Sequence, residues 1–168
     1  MMDFFDCLHR GKAFGVFNLG TSAAGNPMNL QLWNPTVVQQ GGSISAYVHR
    51  VYVTTDTACY ASLGWYNTEL ATVVRNGTNL NGEDFPTTSN AQSILRTTQQ
   101  EAAIAASFFK VIRLPANSTF MIPEWVTKLP RGDSTQAGVT TGTGLIVQFS
   151  TVIGQVNTAS FEWVEVNP

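Results

Sequence analysis

The sequence predicts an all-β protein, an antiparallel β-sandwich, on three observations. Short runs rich in β-branched and aromatic residues recur along the 168 residues, separated by Gly, Pro, Asn, Asp and Thr clusters. Within those runs apolar and polar residues alternate with a period of two. No strong amphipathic helix interrupts them, so roughly eight to ten short strands must bury their apolar faces against one another as a sandwich or barrel.

Taken in order, Phe14–Phe17 is a short first strand. Met28–Trp33 alternates strictly, with Met28, Leu30 and Leu32 on one face and Asn29 and Gln31 on the other. Pro35 stops it, because proline lacks the N–H a ladder needs. The longest run, Ile44–Thr54, changes parity: Ile44, Ala46 and Val48 share one face, Val51 and Val53 the other. A β-bulge near His49-Arg50 brings both sets to one face; the alternative is a strand buried on both sides. Asp56 makes a turn, after which Cys59, Ala61, Leu63 and Trp65 alternate against Tyr60, Ser62 and Tyr66. Leu70–Val74 is a further strand, ended by Asn76-Gly77, and Thr78–Gln92 reads as a polar loop. Gln99–Ala106 has helical composition. Phe108–Leu114 and Ser118–Ile122 are strands joined by the turn Pro115-Ala116-Asn117. A second loop covers Lys128–Thr143, and Leu145–Thr151 and Thr158–Val166 form the closing pair. In the last strand Phe161, Trp163 and Glu165 face one way, and Glu162, Val164 and Val166 the other. That strand is expected to be central. Residues 1–12, with Phe4, Phe5 and Leu8 but no alternation, read as a short N-terminal arm that docks on a neighbour or on a shell, ahead of one domain spanning 13–168.

Composition limits the partners. Only 12% of the residues are charged, about half the usual ~25% of a soluble domain. The surface must therefore be built from Ser, Thr, Asn and Gln, which lose water at less cost than ions do. Nine Lys and Arg against eleven Asp and Glu give a net charge of -2, with no clustered basic face for a nucleic acid. No apolar run approaches the roughly 20 residues that span a bilayer. The first residues lack the apolar core of a signal peptide, so the expected compartment is a cytoplasm. Cys7 and Cys59 are too few for a disulfide framework and read as free buried thiols.

Patterns that would carry chemistry are sparse. Metal binding needs several convergent His and carboxylates, and the chain has only His9 and His49. No Gly-x-Ser-x-Gly elbow occurs, and Cys59 with His49 is the one conceivable nucleophile–base pair. Of the candidate acid pairs, Glu83-Asp84 lies in a loop, and Glu162 and Glu165 point to opposite faces of one strand. Arg131-Gly132-Asp133 matches a cell-adhesion tripeptide but serves a turn equally well. Asn76 and Asn117 begin glycosylation-type triplets that also suit turns. The Gly142-Thr-Gly144 stretch runs into a strand with no following lysine, unlike a phosphate loop. The expectation is no catalytic site, no metal and no cofactor. Trp33, Trp65, Trp125 and Trp163 fall in or beside strands and suit core packing, with Trp125 in Ile122-Pro-Glu-Trp125 alternatively at a subunit contact. Phe4, Phe5, Leu8 and Trp125 are the candidate assembly contacts.

Three segments carry a resemblance. Leu30-Gln-Leu-Trp-Asn-Pro35 precedes Gly41-Gly-Ser-Ile-Ser-Ala-Tyr-Val48 and Val51-Tyr-Val53. Ile112-Arg-Leu-Pro-Ala-Asn-Ser-Thr119 forms a strand and turn. Gly144-Leu-Ile-Val-Gln-Phe149 pairs with the aromatic–acidic tail Phe161-Glu-Trp-Val-Glu165. Together they cover about a third of the chain and resemble the small β-sandwich structural proteins of tailed bacteriophages. The resemblance implies a jelly-roll that sits as a homotrimer on the outside of the virion. There it would be a cement or decoration protein bound to the major capsid protein, assembled in the host cytoplasm. The short chain and absence of shaft repeats favour cement over fiber. The other expectation is a receptor- or glycan-binding tip. Exposed aromatics at Trp65, Tyr66 or Phe85 would favour that tip, and an N-terminal attachment arm would favour the shell.

Overall fold

A computed structural model describes residues 3–10, 12–21, 27–34, 45–70, 72–80, 94–98, 104, 106–122, 127–129, 143–150 and 154–166. They form one short helix, α1 (Phe4–His9), and the strands β1 (Ala13–Thr21), β2 (Asn29–Asn34), β3 (Ser45–Thr55), β4 (Cys59–Trp65), β5 (Thr72–Asn76), β6 (Thr78–Asn79), β7 (Ile94–Thr98), β8 (Ser107–Leu114), β9 (Ser118–Ile122), β10 (Thr127–Leu129), β11 (Thr143–Phe149) and β12 (Val156–Val166). Two antiparallel sheets face each other. The first has the order β10-β3-β12-β1-β6, with β9 also on β3, and the second has the order β5-β7-β2-β11-β4-β8.

The pairing is that of a jelly-roll. β1 lies on β12, β2 on β11, β3 on β9 and β10, and β4 on β8. These are the rungs of one long antiparallel ribbon, first strand with last and inner strands with inner, rolled so that alternate rungs fall in alternate sheets. β5, β6 and β7 are an insertion: β7 extends the second sheet beyond β2, and β6 touches the edge of β1. The last strand is central, between β1 and β3.

Packing follows from the alternation. Leu30, Leu32, Ala61, Leu63, Leu145 and Val147 of the second sheet meet Phe14, Val16, Val51, Val53, Phe161 and Trp163 of the first in a single core. The parity change in β3 is resolved by a bulge. Val51 pairs with Phe161 and Arg50 with Glu162, but Val48 pairs with Trp163, leaving His49 as the extra residue. Ala46, Val48, Val51 and Val53 consequently all point inward and are buried. Trp163 is fully buried, and its indole Nε1 donates to the Glu165 carboxylate at 3.1 Å, which gives that inward-facing acid a partner.

Both outer faces are partly roofed by the chain itself. On the second sheet, Tyr66, Leu70, Ile104 and Ala106 pack over Ile146. The Gln31 side chain fastens this roof, donating to the Tyr66 and Thr68 carbonyls at 2.7 and 3.0 Å and accepting from the Leu70 N–H at 3.1 Å. Gln31 is therefore fully buried, and so is Asn29 on the same face of β2, whose Oδ1 accepts from the Gln148 amide at 2.8 Å. On the first sheet α1 covers one end. Phe4, Cys7 and Leu8 lie on one helical face at i, i+3 and i+4, and they pack on Ala13, Tyr47 and Val164. The Lys12 N–H bonds the Cys7 carbonyl at 2.8 Å, and the Glu165 N–H bonds Lys12 at 3.0 Å. The N-terminal arm is thus a helix laid on its own sandwich, where a segment reaching toward a neighbour was expected.

Other departures are local. β1 runs to Thr21 and β12 starts at Val156, because each continues to pair after its apolar alternation ends. β7 has no counterpart in the sequence reading, β6 falls inside the stretch read as a polar loop, and β10 starts one residue ahead of the second loop and runs into it. Ile104 and Ala106, the described part of the expected helix, are not helical; the rest of Gln99–Ala106 lies outside the described residues. Asn117 sits at φ 52° in the β8–β9 turn, a conformation asparagine tolerates better than most side chains.

Candidate assembly surface

Beyond α1 the outer face of the first sheet lies open among the described residues. The odd-numbered residues of β1 project from it because Phe14 and Val16 take the core side. The pairing registers lay out three rows across four strands. Leu19, Thr158, Thr54 and Thr119 form one; Phe17, Ser160, Tyr52 and Met121 the next; Gly15, Glu162 and Arg50 the third. Leu19 is 60% exposed, Phe17 52% and Met121 42%. Leu80 leans across β1 at Gly15, where a β-carbon would stand 3.0 Å from its Cδ2. A trough of about 460 Å³ opens here, lined by Gly15, Phe17, Leu80, Thr158, Ser160 and Glu162. The first two rows hold no charged side chain. In the third, Arg50 and Glu162 face each other at 3.7 Å, so the face is close to neutral.

The residues singled out from the sequence fall into two groups. Phe4 and Leu8 are half-buried against the first sheet, whereas Phe5 points away and is 64% exposed, edge-to-face with Phe4. Phe4 stacks on the imidazole of His49, with ring centroids 4.2 Å apart. Trp125 lies outside the described residues. Phe17, Leu19, Leu80 and Met121 were not singled out. For Phe17 and Leu19 the sequence carries a signal: they alternate with Phe14 and Val16, so β1 is apolar on both faces while only one meets the core.

Burial, reinforced by Arg50, holds the His49 pKa below the usual histidine value, against the pull of Glu162 and Asp3. Burial and the neighbouring Asp6 push the Cys7 thiol up. The conceivable nucleophile pair is not assembled, since Cys59 bonds Thr55 in the core at 3.6 Å while His49 sits under Phe4. Glu162 and Glu165 do occupy opposite faces, one paired with Arg50 and the other with Trp163. Among the described residues no group of three or more His, Cys, Asp or Glu could hold a metal ion, and no helix is long and apolar enough to cross a membrane. Glu83-Asp84, Phe85 and Arg131-Gly132-Asp133 lie outside the described residues. Trp33 and Trp163 are buried. Tyr66 belongs to the roof of the second sheet, and Trp65 is half-buried, 5.9 Å from Phe109.

No protein-family model matches the sequence, and neither the curated proteins nor the solved structures contain a match.

Proposed function

We propose that this chain is a virion structural protein, a cement or decoration protein that binds the outer surface of a tailed-phage capsid as a homotrimer and stabilises the shell. The observation that carries the reading is the open face of the first sheet. Phe17, Leu19, Leu80 and Met121 stand exposed around a trough, in a field of Thr and Ser with one internally neutralised ion pair. Such a face suits another protein, because covering it removes apolar surface from water and strands no lone charge. Stabilisation would then follow from mass action: a protein that binds the assembled shell and not its dissociated subunits shifts the balance toward the shell. The major capsid protein is the partner in this reading; no nucleic acid or membrane is involved. The N-terminal helix contributes through Phe5, which its docking leaves facing outward.

A second reading, a receptor- or glycan-binding tip, draws on the Trp65–Phe109 pair with Phe108 exposed beside it, since aromatic faces can stack on sugars. Co-sedimentation separates the two. The cement reading expects the purified protein to pellet with capsids and not with host cells, and expects Phe17→Asp with Leu19→Asp to abolish pelleting. Pelleting with cells alone favours the tip.

A further inference from the structure

Among the described residues the second sheet ends at β8, and no strand pairs with its far side. An edge of this kind is a row of backbone donors and acceptors open to another strand. Ile112 and Leu114 anchor β8 in the core, so the edge is held rigidly. Its bulge at Phe109, where Leu63 pairs with Lys110 but Gly64 with Phe108, leaves Lys110–Leu114 as the regular template. Lys110 stands directly opposite core-facing Leu63 and Arg113 opposite outward Tyr60, so the two cations emerge on opposite faces of the strand. Neither forms an ion pair among the described residues. Val111 between them is 61% exposed.

We propose that β8 is a strand-acceptor edge for an extended segment of a partner protein carrying acidic residues three positions apart. Charge decides the occupant. Ser107–Leu114 contains two cations and no acid, so a second copy of β8 laid antiparallel on the first brings no counter-charge, and an inward-pointing lysine is a recognised guard against such pairing. An antiparallel segment reading acid–apolar–apolar–acid places its acids opposite Arg113 and Lys110, about 10 Å apart along the strand. Its apolar residues then meet Ile112 and Val111. Main-chain hydrogen bonds supply affinity and the charges select the sequence. This site lies on the other sheet from the proposed capsid-binding face and stands independently of it.

The test uses the full chain and two synthetic peptides, Thr-Glu-Val-Val-Glu-Thr and its Lys-for-Glu counterpart, with amide exchange of β8 as readout. The acidic peptide should slow exchange at those amides of residues 110–114 that point away from β4, and bind roughly tenfold more tightly than the basic one, the effect of two exposed ion pairs. In the double variant Lys110→Glu with Arg113→Glu, confirmed folded by an unchanged melting curve, the preference should reverse. No protection by either peptide, or equal protection by both, overturns the proposal. So does concentration-dependent protection of β8 without peptide, which would assign the edge to a second copy.

Discussion

Replacing Gly144 with alanine tests how the second sheet is roofed. A β-carbon at Gly144 would collide with Gln31 Nε2 and stand 2.5 Å from the Tyr66 carbonyl oxygen, closer than atoms tolerate. The Tyr66 N–H already bonds the Gly144 carbonyl at 3.0 Å, so the backbone there has little freedom to retreat. The methyl must therefore displace the Gln31 amide, whose three hydrogen bonds hold Tyr66, Thr68 and Leu70. Each such bond contributes about 0.5–1.5 kcal/mol net, so Gly144→Ala should destabilise the protein by about 2–4 kcal/mol in urea unfolding at unchanged m-value. Amide exchange at residues 66–70 should accelerate in step. Gln31→Ala should cost a similar amount, and the double variant should cost clearly less than the sum, because both changes remove the same bonds. A loss below about 0.5 kcal/mol, the range of an ordinary surface change, would refute this account of the roof. Full additivity in the double variant would refute the coupling.

Three further outcomes follow from the packing. Trp163→Ala removes a fully buried indole and strips Glu165 of its donor, costing about 3–5 kcal/mol by thermal or urea unfolding; Trp163→Phe, which loses the hydrogen bond but keeps most of the ring, should cost less. His49 has a folded-state pKa below its unfolded value of about 6.5. Its contribution to stability is thus intact above that pH and declines as the pH falls toward the folded pKa, and His49→Gln should flatten this part of the stability–pH curve. Cys7, on the packed face of α1, is fully buried with a raised thiol pKa, so it should resist a thiol reagent at pH 8 until the helix lifts; Leu8→Ala, which thins the helix contact, should speed its labelling several-fold.

The sequence was most informative where period-two alternation was long. The switch from Val48 to Val51 marked the bulge in β3, because only an extra residue could return both sets to one core. Phe161, Trp163 and Glu165 against Glu162 and Val164 gave the orientation of β12 correctly. Short or polar strands left little trace. Ile94-Leu95 is followed by Arg96, Thr97 and Thr98, so β7 carries no alternation and exists through pairing with β2 and β5. The three residues of β10 are likewise set by β3. Burial of Gln31 depends on carbonyls 35–37 residues away and had no local signal. The docking of α1, by contrast, is written in the i, i+3, i+4 spacing of Phe4, Cys7 and Leu8, a helical period and not the period of two that marks the strands. The open face required both facts at once: that β1 is apolar on two sides, and that nothing described beyond α1 roofs the outer one.

The central claim is that the open face of the first sheet is what the protein uses to hold a shell, and side-chain oxidative footprinting tests it directly. Phe17, Leu19 and Met121, at 52%, 60% and 42% exposure, should be readily oxidised in the free protein. On capsid-bound protein the account predicts that all three become protected, while Phe109, on the opposite sheet, stays reactive. Unchanged oxidation of Phe17, Leu19 and Met121 on the bound protein would contradict it.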